Sequence, residues 1–163
     1  MSRPGRRGAA AGEGGFTLVE AVVSLSIVGI LMAMAVPAWG SYRANQERVS
    51  ASREVVSVLR NAQMRATAEE TSYRVHVDVA ARALTVSRFD GAAWVPRSTR
   101  LVPGSAVRLD APAFLDRSGT TTAHVYFYAR GTASPGSVRV RSVTSERSHV
   151  ITVEGLTGRV STT

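Results

Sequence analysis

Residues 16–39 read FTLVEAVVSLSIVGILMAMAVPAW and contain a single ionisable side chain, that of Glu20. At about 1.5 Å per residue, a helix of this length can cross the roughly 30 Å hydrocarbon core of a membrane. The alternative is a cleaved secretory signal, but the apolar core of such signals is usually only about 7–15 residues long. The segment therefore predicts a transmembrane helix over residues 16–39.

The residues on either side of this segment predict its orientation. The leader, residues 1–15, contains Arg3, Arg6 and Arg7 against one acid, Glu13, and is rich in Gly. Basic residues beside a membrane segment favour the cytoplasmic side, so we expect a cytoplasmic N-terminus. The long polar chain after the segment is then on the other side of the membrane, and the protein crosses it once.

Beyond the apolar segment, residues 40–70 have the pattern of an amphipathic helix. One stripe at a 3.6-residue repeat consists of Val49, Ser52, Val56, Leu59, Gln63 and Ala66, flanked by Val55 and Ala62, and charged side chains occupy most of the other faces. Pro37 predicts a kink and not an end, because the apolar repeat continues in phase after it. The expected helix is about 50 residues long, far above the ~11–12-residue average.

After Thr71 the apolar side chains alternate with polar ones, which is the period of a half-buried strand. The clearest runs are Ser72–Val79 and Ala83–Phe89. Later predicted strands are Ala106–Leu109, Ala123–Tyr128, Ser137–Val143, His149–Glu154 and Gly158–Ser161. Short strands without a further helix predict an antiparallel sheet over residues 72–161, and only the amphipathic helix can cover its apolar face. The expected fold class is α+β, a long N-terminal helix packed on an antiparallel sheet.

Composition limits the functions that this chain can have. The absence of cysteine excludes a disulfide scaffold, a thiolate zinc site and a cysteine nucleophile. No Walker A loop, G-x-G-x-x-G loop or G-x-S-x-G elbow occurs, and His76, His124 and His149 lack metal-ligand spacing. We therefore expect no catalytic residue, no metal site and no cofactor. The net charge is +8, and every Lys-or-Arg position is Arg. This positive charge permits an acidic partner such as nucleic acid or anionic lipid.

The run Gly15-Phe16-Thr17-Leu18-Val19-Glu20 resembles the processing site of type IV pilins and of the pseudopilins of type II secretion. In those families a prepilin peptidase cuts after the glycine and methylates the new N-terminal residue. The resemblance implies that residues 1–15 are a prepilin leader, that the chain is cut between Gly15 and Phe16, and that Phe16 is N-methylated. It also implies that Glu20 pairs with the N-terminal ammonium of a neighbouring subunit during filament assembly.

Glu20 has a second interpretation, as an interfacial glutamate that reaches the lipid headgroups. An ionised carboxylate at membrane depth costs about 2.5–3.5 kcal/mol, so a partner is expected. A contact with Phe16 of the same chain, four residues earlier, is also geometrically possible. We favour the assembly role, because packed apolar helices otherwise slide past each other with little energetic preference.

The second half of the chain is similar to the GspH/FimT-type minor pseudopilins. The similar residues are Val125-Tyr126-Phe127, Gly131-Thr132-Ala133, Val150-Ile151-Thr152-Val153 and Gly158-Arg159-Val160. This resemblance implies a minor pseudopilin of a type II secretion system, with a pilin-like head over residues 40–163 in the periplasm and an anchor in the inner membrane. The implied partners are prepilin peptidase, other pseudopilins, the inner-membrane assembly platform and membrane lipid.

The alternative is a minor pilin of a type IV pilus or competence system that binds DNA. Arg139, Arg141 and Arg159 could contact phosphates, with Tyr126 and Tyr128 as stacking partners for bases. A solvated, arginine-rich surface is the simpler interpretation, because the chain has no signature of a nucleic-acid-binding fold. DNA binding is therefore possible but not favoured.

The processing site gives a direct prediction. Intact-mass measurement of protein extracted from membranes should show the loss of residues 1–15 and the gain of one methyl group on Phe16. A bulky residue in place of Gly15 should block the cut, whereas Gly15→Ala should be tolerated because alanine is nearly as small. A chain that still begins at Met1 in cells with active peptidase would contradict the assignment.

Overall fold

The computed structural model describes residues 17–143 and 146–163, and its first element is a 51-residue helix, α1 (Leu18–Ala68). The predicted long helix is therefore present. α1 continues through residue 37, so Pro37 does not end it, and a kink at that position stays a prediction. The contacts of the chain divide it into two units, residues 1–39 and residues 40–163. The leader lies outside the described residues.

Nine strands follow α1 in this part of the chain, and they form two antiparallel sheets. The four-stranded sheet consists of β1 (Tyr73–Asp78), β2 (Ala83–Phe89), β3 (Trp94–Leu101) and β6 (His124–Phe127), in the order β3-β2-β1-β6. The five-stranded sheet consists of β4 (Val107–Leu115), β5 (Thr121–Thr122), β7 (Gly136–Ser142), β8 (Ser148–Val153) and β9 (Val160–Thr162), in the order β5-β4-β7-β8-β9. The predicted α+β class, a helix on antiparallel sheet, is confirmed.

One apolar cluster joins α1 to the inner faces of both sheets. The helix contributes a face of fully buried side chains, among them Ala51, Val55, Leu59 and Ala62. The strands contribute alternate residues, such as Val75 and Val77 of β1, Val138 and Val140 of β7, and Ile151 of β8. Full burial of a leucine-sized side chain contributes about 1.5–3 kcal/mol, so this shared cluster is the main source of stability in the unit over residues 40–163.

The buried face of α1 is rotated from the stripe that the sequence predicts. Three members of the predicted stripe are only half-buried at its margin: Val49, Val56 and Gln63. Small residues, Ala51 and Ala62, take central positions in their place. Small side chains let the helix backbone lie close to the sheets, and interiors favour the arrangement that leaves the fewest voids.

Strand β3 is not predicted from the sequence, in which the only strand expected between residues 92 and 112 is Ala106–Leu109. β3 is the edge strand of its sheet, and its side chains are mostly exposed, so no alternation marks it. Pro96 lies within it, as is tolerated on an edge where one N–H is not needed for pairing. β4 is also longer than predicted and continues to Leu115.

Polar contacts connect α1 to the loops and the edge of the five-stranded sheet. The Arg60 guanidinium donates a hydrogen bond of 3.1 Å to the carbonyl of Val160 in β9, and the Gln63 amide donates one of 3.1 Å to the carbonyl of Thr157. The carboxylate of Glu47 accepts the N–H of Ala106 at 3.1 Å. The bonds of Arg60 and Gln63 hold β9 and the turn before it beside the helix, and the bond of Glu47 holds the segment before β4.

We predict that Leu59→Ala lowers the free energy of unfolding by about 2–5 kcal/mol, because it leaves a cavity between the helix and the sheets. The matched control is Met64→Ala, which shortens a large helix side chain that is 60% exposed and should cost well under half as much. Urea denaturation of the full chain in detergent, followed by near-ultraviolet circular dichroism, measures both. Equal losses would contradict this core assignment.

Candidate functional site

The N-terminal turn of α1 is capped by the motif that contains Glu20. Thr17 Oγ1 accepts the backbone N–H of Glu20 at 3.2 Å, and the carbonyl of Thr17 accepts the N–H of Ala21 at 3.1 Å. This is the Thr-x-x-Glu arrangement of a capping box, and a carboxylate in the first turn also complements the helix dipole. The sequence contained this signal, yet the capping role was missed. Gly15 and Phe16 lie outside the described residues, so the cut and the methylation stay predictions.

The first half of α1 exposes its large apolar side chains. Leu18 is 81% exposed, Leu25 is 71% exposed and Met34 is 72% exposed. The hydroxyl of Ser26 is satisfied within the helix, because it donates to the carbonyl of Val22 at 2.8 Å. A surface of this kind marks a site that another molecule covers.

Two further observations concern the same segment. Glu20 has no ion-pair partner among residues 17–143 and 146–163 of its own chain. In that part of the chain, no helix is identified as long and apolar enough to span a membrane. The assembly role of Glu20 stays a prediction.

Two of the three arginines predicted as possible DNA contacts, Arg139 and Arg141, lie beside a carboxylate. Arg139 and Arg141 lie on the exposed face of β7, and Arg141 Nε is 2.9 Å from a carboxylate oxygen of Asp110. Arg139 is directly opposite Asp110 in the strand register. Arg159 pairs through its carbonyl with the N–H of Glu154 at the far end of the same sheet. At Arg139 and Arg141 phosphate would have to compete with the carboxylate of Asp110, which weakens the case for DNA at this surface.

The predicted stacking residues lie on the other sheet. Tyr126 is on β6, where its ring contacts that of Trp94 edge-on at 5.5 Å, and Arg117 lies 4.3 Å above the ring of Tyr128. Together with Phe89 these aromatic side chains line a cavity of about 420 Å³. The structure therefore does not bring Tyr126 and Tyr128 to the same sheet as the three arginines.

Two of the histidines come together although the sequence places them on separate strands. His76 on β1 and His124 on β6 are directly opposite in register, and their ring centroids are 4.6 Å apart. Sequence reasoning missed the pair, because only the strand order makes it visible. The described part of the chain contains no group of three or more metal-ligating side chains.

Burial lowers the pKa of two histidine side chains. For His124 the second cause is repulsion from His76 and Arg74. For His149 on β8 the second cause is the positive charge of Arg48 on α1. In both cases the folded chain holds the neutral imidazole.

Two family models match this chain. The prokaryotic N-terminal methylation motif matches residues 11–36, and the model of type II transport protein GspH matches residues 51–157. The chain belongs to the GspH family. The methylation motif implies processing by prepilin peptidase, and proteins of this family are structural subunits whose partners are other pilins.

Solved structures share the fold of this GspH-family chain. The minor pseudopilin EpsH of the Vibrio cholerae Type 2 Secretion System is 15% identical, with a TM-score of 0.54 over 71% of this chain and 94% of that one. A second EpsH structure is 13% identical, with a TM-score of 0.56 over 73% and 96%. The type IV minor pilin FimU of Pseudomonas aeruginosa is 15% identical, with a TM-score of 0.55 over 72% and 88%. No curated protein sequence matches the chain.

The lowered histidine pKa values predict an acid-sensitive head. Below the usual histidine pKa of about 6.5 the unfolded chain takes up protons that the folded chain does not, so stability falls as the pH drops from about 7.5 to 5.5. The double variant His124→Gln, His149→Gln should lose much of this dependence. Thermal unfolding of the full chain in detergent at several pH values measures it, and an unchanged pH dependence in the variant would contradict the assignment.

Proposed function

We propose that this GspH-family chain is a minor pseudopilin of a type II secretion system, a structural subunit of a periplasmic pseudopilus. One observation carries the proposal. A helix with uncovered apolar side chains begins within the methylation motif and leads into a GspH head. Exposing an apolar surface of this length to water is unfavourable. In this proposal lipid covers the surface before assembly, and neighbouring subunits cover it in the filament.

In this proposal residues 16–39 anchor the subunit in the inner membrane before assembly. The N-terminus is cytoplasmic, the chain crosses the membrane once, and the head over residues 40–163 is periplasmic. The arginines of the leader support this orientation. The inner-membrane assembly platform then takes the subunit from lipid into the filament, where its apolar helix packs among others.

Processing prepares the contact that sets the register of the filament. Prepilin peptidase removes residues 1–15 and leaves a methylated ammonium on Phe16. Glu20 of the adjoining subunit neutralises that ammonium, and the pair fixes an axial position that apolar packing alone would leave undetermined. The hydrogen bond from the backbone N–H of Glu20 to the Thr17 hydroxyl supports this role, because it keeps the first turn of α1 formed.

A minor pilin of a type IV pilus or competence system is the second candidate. The net charge of +8 favours it, because a DNA-binding head would need a positive surface. The carboxylate of Asp110 beside Arg139 and Arg141 counts against it. If this candidate were right, replacing all three arginines with Gln would flatten the salt dependence of DNA binding by up to about 3 log units per log unit of salt.

We predict that Glu20→Val leaves membrane insertion intact, or improves it, since a carboxylate at membrane depth is costly by about 2.5–3.5 kcal/mol. Incorporation into the pseudopilus should nevertheless fail, because the pair with the Phe16 ammonium is lost. Crosslinking to other pseudopilins in cells, with protein secretion as a second readout, measures the effect.

Thr17→Val is the matched control, because it removes the cap at a cost of about 0.5–2 kcal/mol of helix stability but keeps the Glu20 charge. It should insert and assemble more nearly as the unmodified chain does. Normal crosslinking of the Glu20→Val variant would contradict the assembly role and support the interpretation of Glu20 as an interfacial glutamate.

A further inference from the structure

A groove runs along the side of α1 within residues 40–163, between the helix and strand β9. Its volume is about 570 Å³. The helix wall is formed by residues on one side of α1, including Val49, Val56 and Met64. The opposite wall includes Thr162 of β9. Val49 and Val56 are the valines that the rotation of the buried face leaves half-covered.

The strand that borders this groove is an open sheet edge. β9 is the last strand of the five-stranded sheet, so it pairs only with β8. The N–H and C=O of Thr163 bond to Val150, and the carbonyl of Arg159 accepts the N–H of Glu154. Backbone groups alternate in direction along an antiparallel strand, so the N–H and C=O groups of Val160 and Thr162 point away from β8. The carbonyl of Val160 is taken by Arg60. By the same alternation, the N–H and C=O of Thr162 face away from β8, toward the open edge.

The charge along the groove is positive. Arg53 and Arg60 line it from the helix side, and no Asp or Glu is among the described residues that form its walls. Arg53 is exposed and forms no ion pair within residues 17–143 and 146–163. An occupant with acidic side chains would supply the missing counter-charge.

We propose that this groove binds an extended acidic strand of another pseudopilin subunit, which adds to the sheet beside Thr162. The inference rests on the proposed function, since it names where a neighbouring subunit would dock. The incoming main chain bonds to the N–H and C=O of Thr162, as in other cases of strand addition to a sheet edge. Its alternate side chains point to Val49, Val56 and Met64, and an Asp or Glu contacts Arg53.

The spacing of neighbouring strands in a sheet places this occupant beside β9. A strand added to β9 would lie about 4.7–4.9 Å from it, in the space between β9 and the helix wall. Because β9 spans only three residues, main-chain bonds alone give a weak site. The apolar wall and the charge of Arg53 therefore have to contribute to affinity and to partner choice.

The test uses a labelled eight-residue peptide, EVTVEVTV, and the full chain in detergent micelles, with fluorescence anisotropy as the readout. We expect saturable binding, and weaker binding of the peptide RVTVRVTV. Thr162→Pro removes an N–H that faces away from β8, so it should cost about tenfold or more in affinity while leaving the sheet paired. Thr162→Val keeps that N–H and is the matched control, with binding close to that of the unmodified chain.

A second pair of variants tests the groove even if Thr162→Pro disturbs folding. Arg53→Gln should weaken binding of the acidic peptide several-fold, whereas Arg139→Gln removes the same charge from the opposite face of the five-stranded sheet and should have no effect. Equal losses for these two variants, full binding by a folded Thr162→Pro chain, or no saturable binding would each overturn the proposal.

The outcome is separable from the proposed function. If the peptide does not bind but the unmodified chain still crosslinks to other pseudopilins through its N-terminal helix, the docking groove is wrong and the pseudopilin assignment stands. If the peptide binds as expected but the chain never enters a pseudopilus, the strand-binding groove stands and the assignment of its partner as a pseudopilin is overturned.

Discussion

Burial of one face of α1 against two sheets is the interaction on which the rest of the structure depends. Ala51, Val55, Leu59 and Ala62 are fully buried there, and the apolar faces of both sheets have this helix as their shared cover. The residues that form this buried face all lie in the second half of α1. The first half has the opposite property, since its large side chains, such as Leu18, Leu25 and Met34, are exposed among residues 17–143 and 146–163. In the proposed function, a membrane and then a filament cover the first half of the helix.

The periodicity of the sequence was enough to predict most of the fold, because burial on one side imposes a period that can be counted. β2 has the predicted bounds, and α1 has nearly the predicted length. The sequence did not predict β3, because an exposed edge strand has no buried side and therefore no alternation of apolar and polar residues. The predicted centre of the buried helix stripe was also wrong. Valine is more hydrophobic than alanine, but close packing against the sheets favours Ala51 and Ala62 at the central positions.

The candidate site was predictable where its residues are adjacent in sequence and not where they meet through strand order. The run from Gly15 to Glu20 was visible as a motif, although only the structure drew attention to the cap at Thr17. His76 and His124 come together through the pairing of β1 with β6, which no local pattern indicates. The same reasoning explains the open edge beside Thr162. It depends on β9 being last in its sheet, and the order of strands is a property of the whole head.

The most direct test of the account asks which parts of the chain water reaches in the cell. Because the chain has no cysteine, single variants Leu25→Cys and Leu156→Cys report without background. Both side chains are largely exposed in the isolated chain, at 71% and 90%. With a membrane-impermeant maleimide admitted to the periplasm, we predict rapid labelling of Leu156→Cys and no labelling of Leu25→Cys until detergent is added. Equal labelling of the two in intact cells would contradict a covered helix and a periplasmic head.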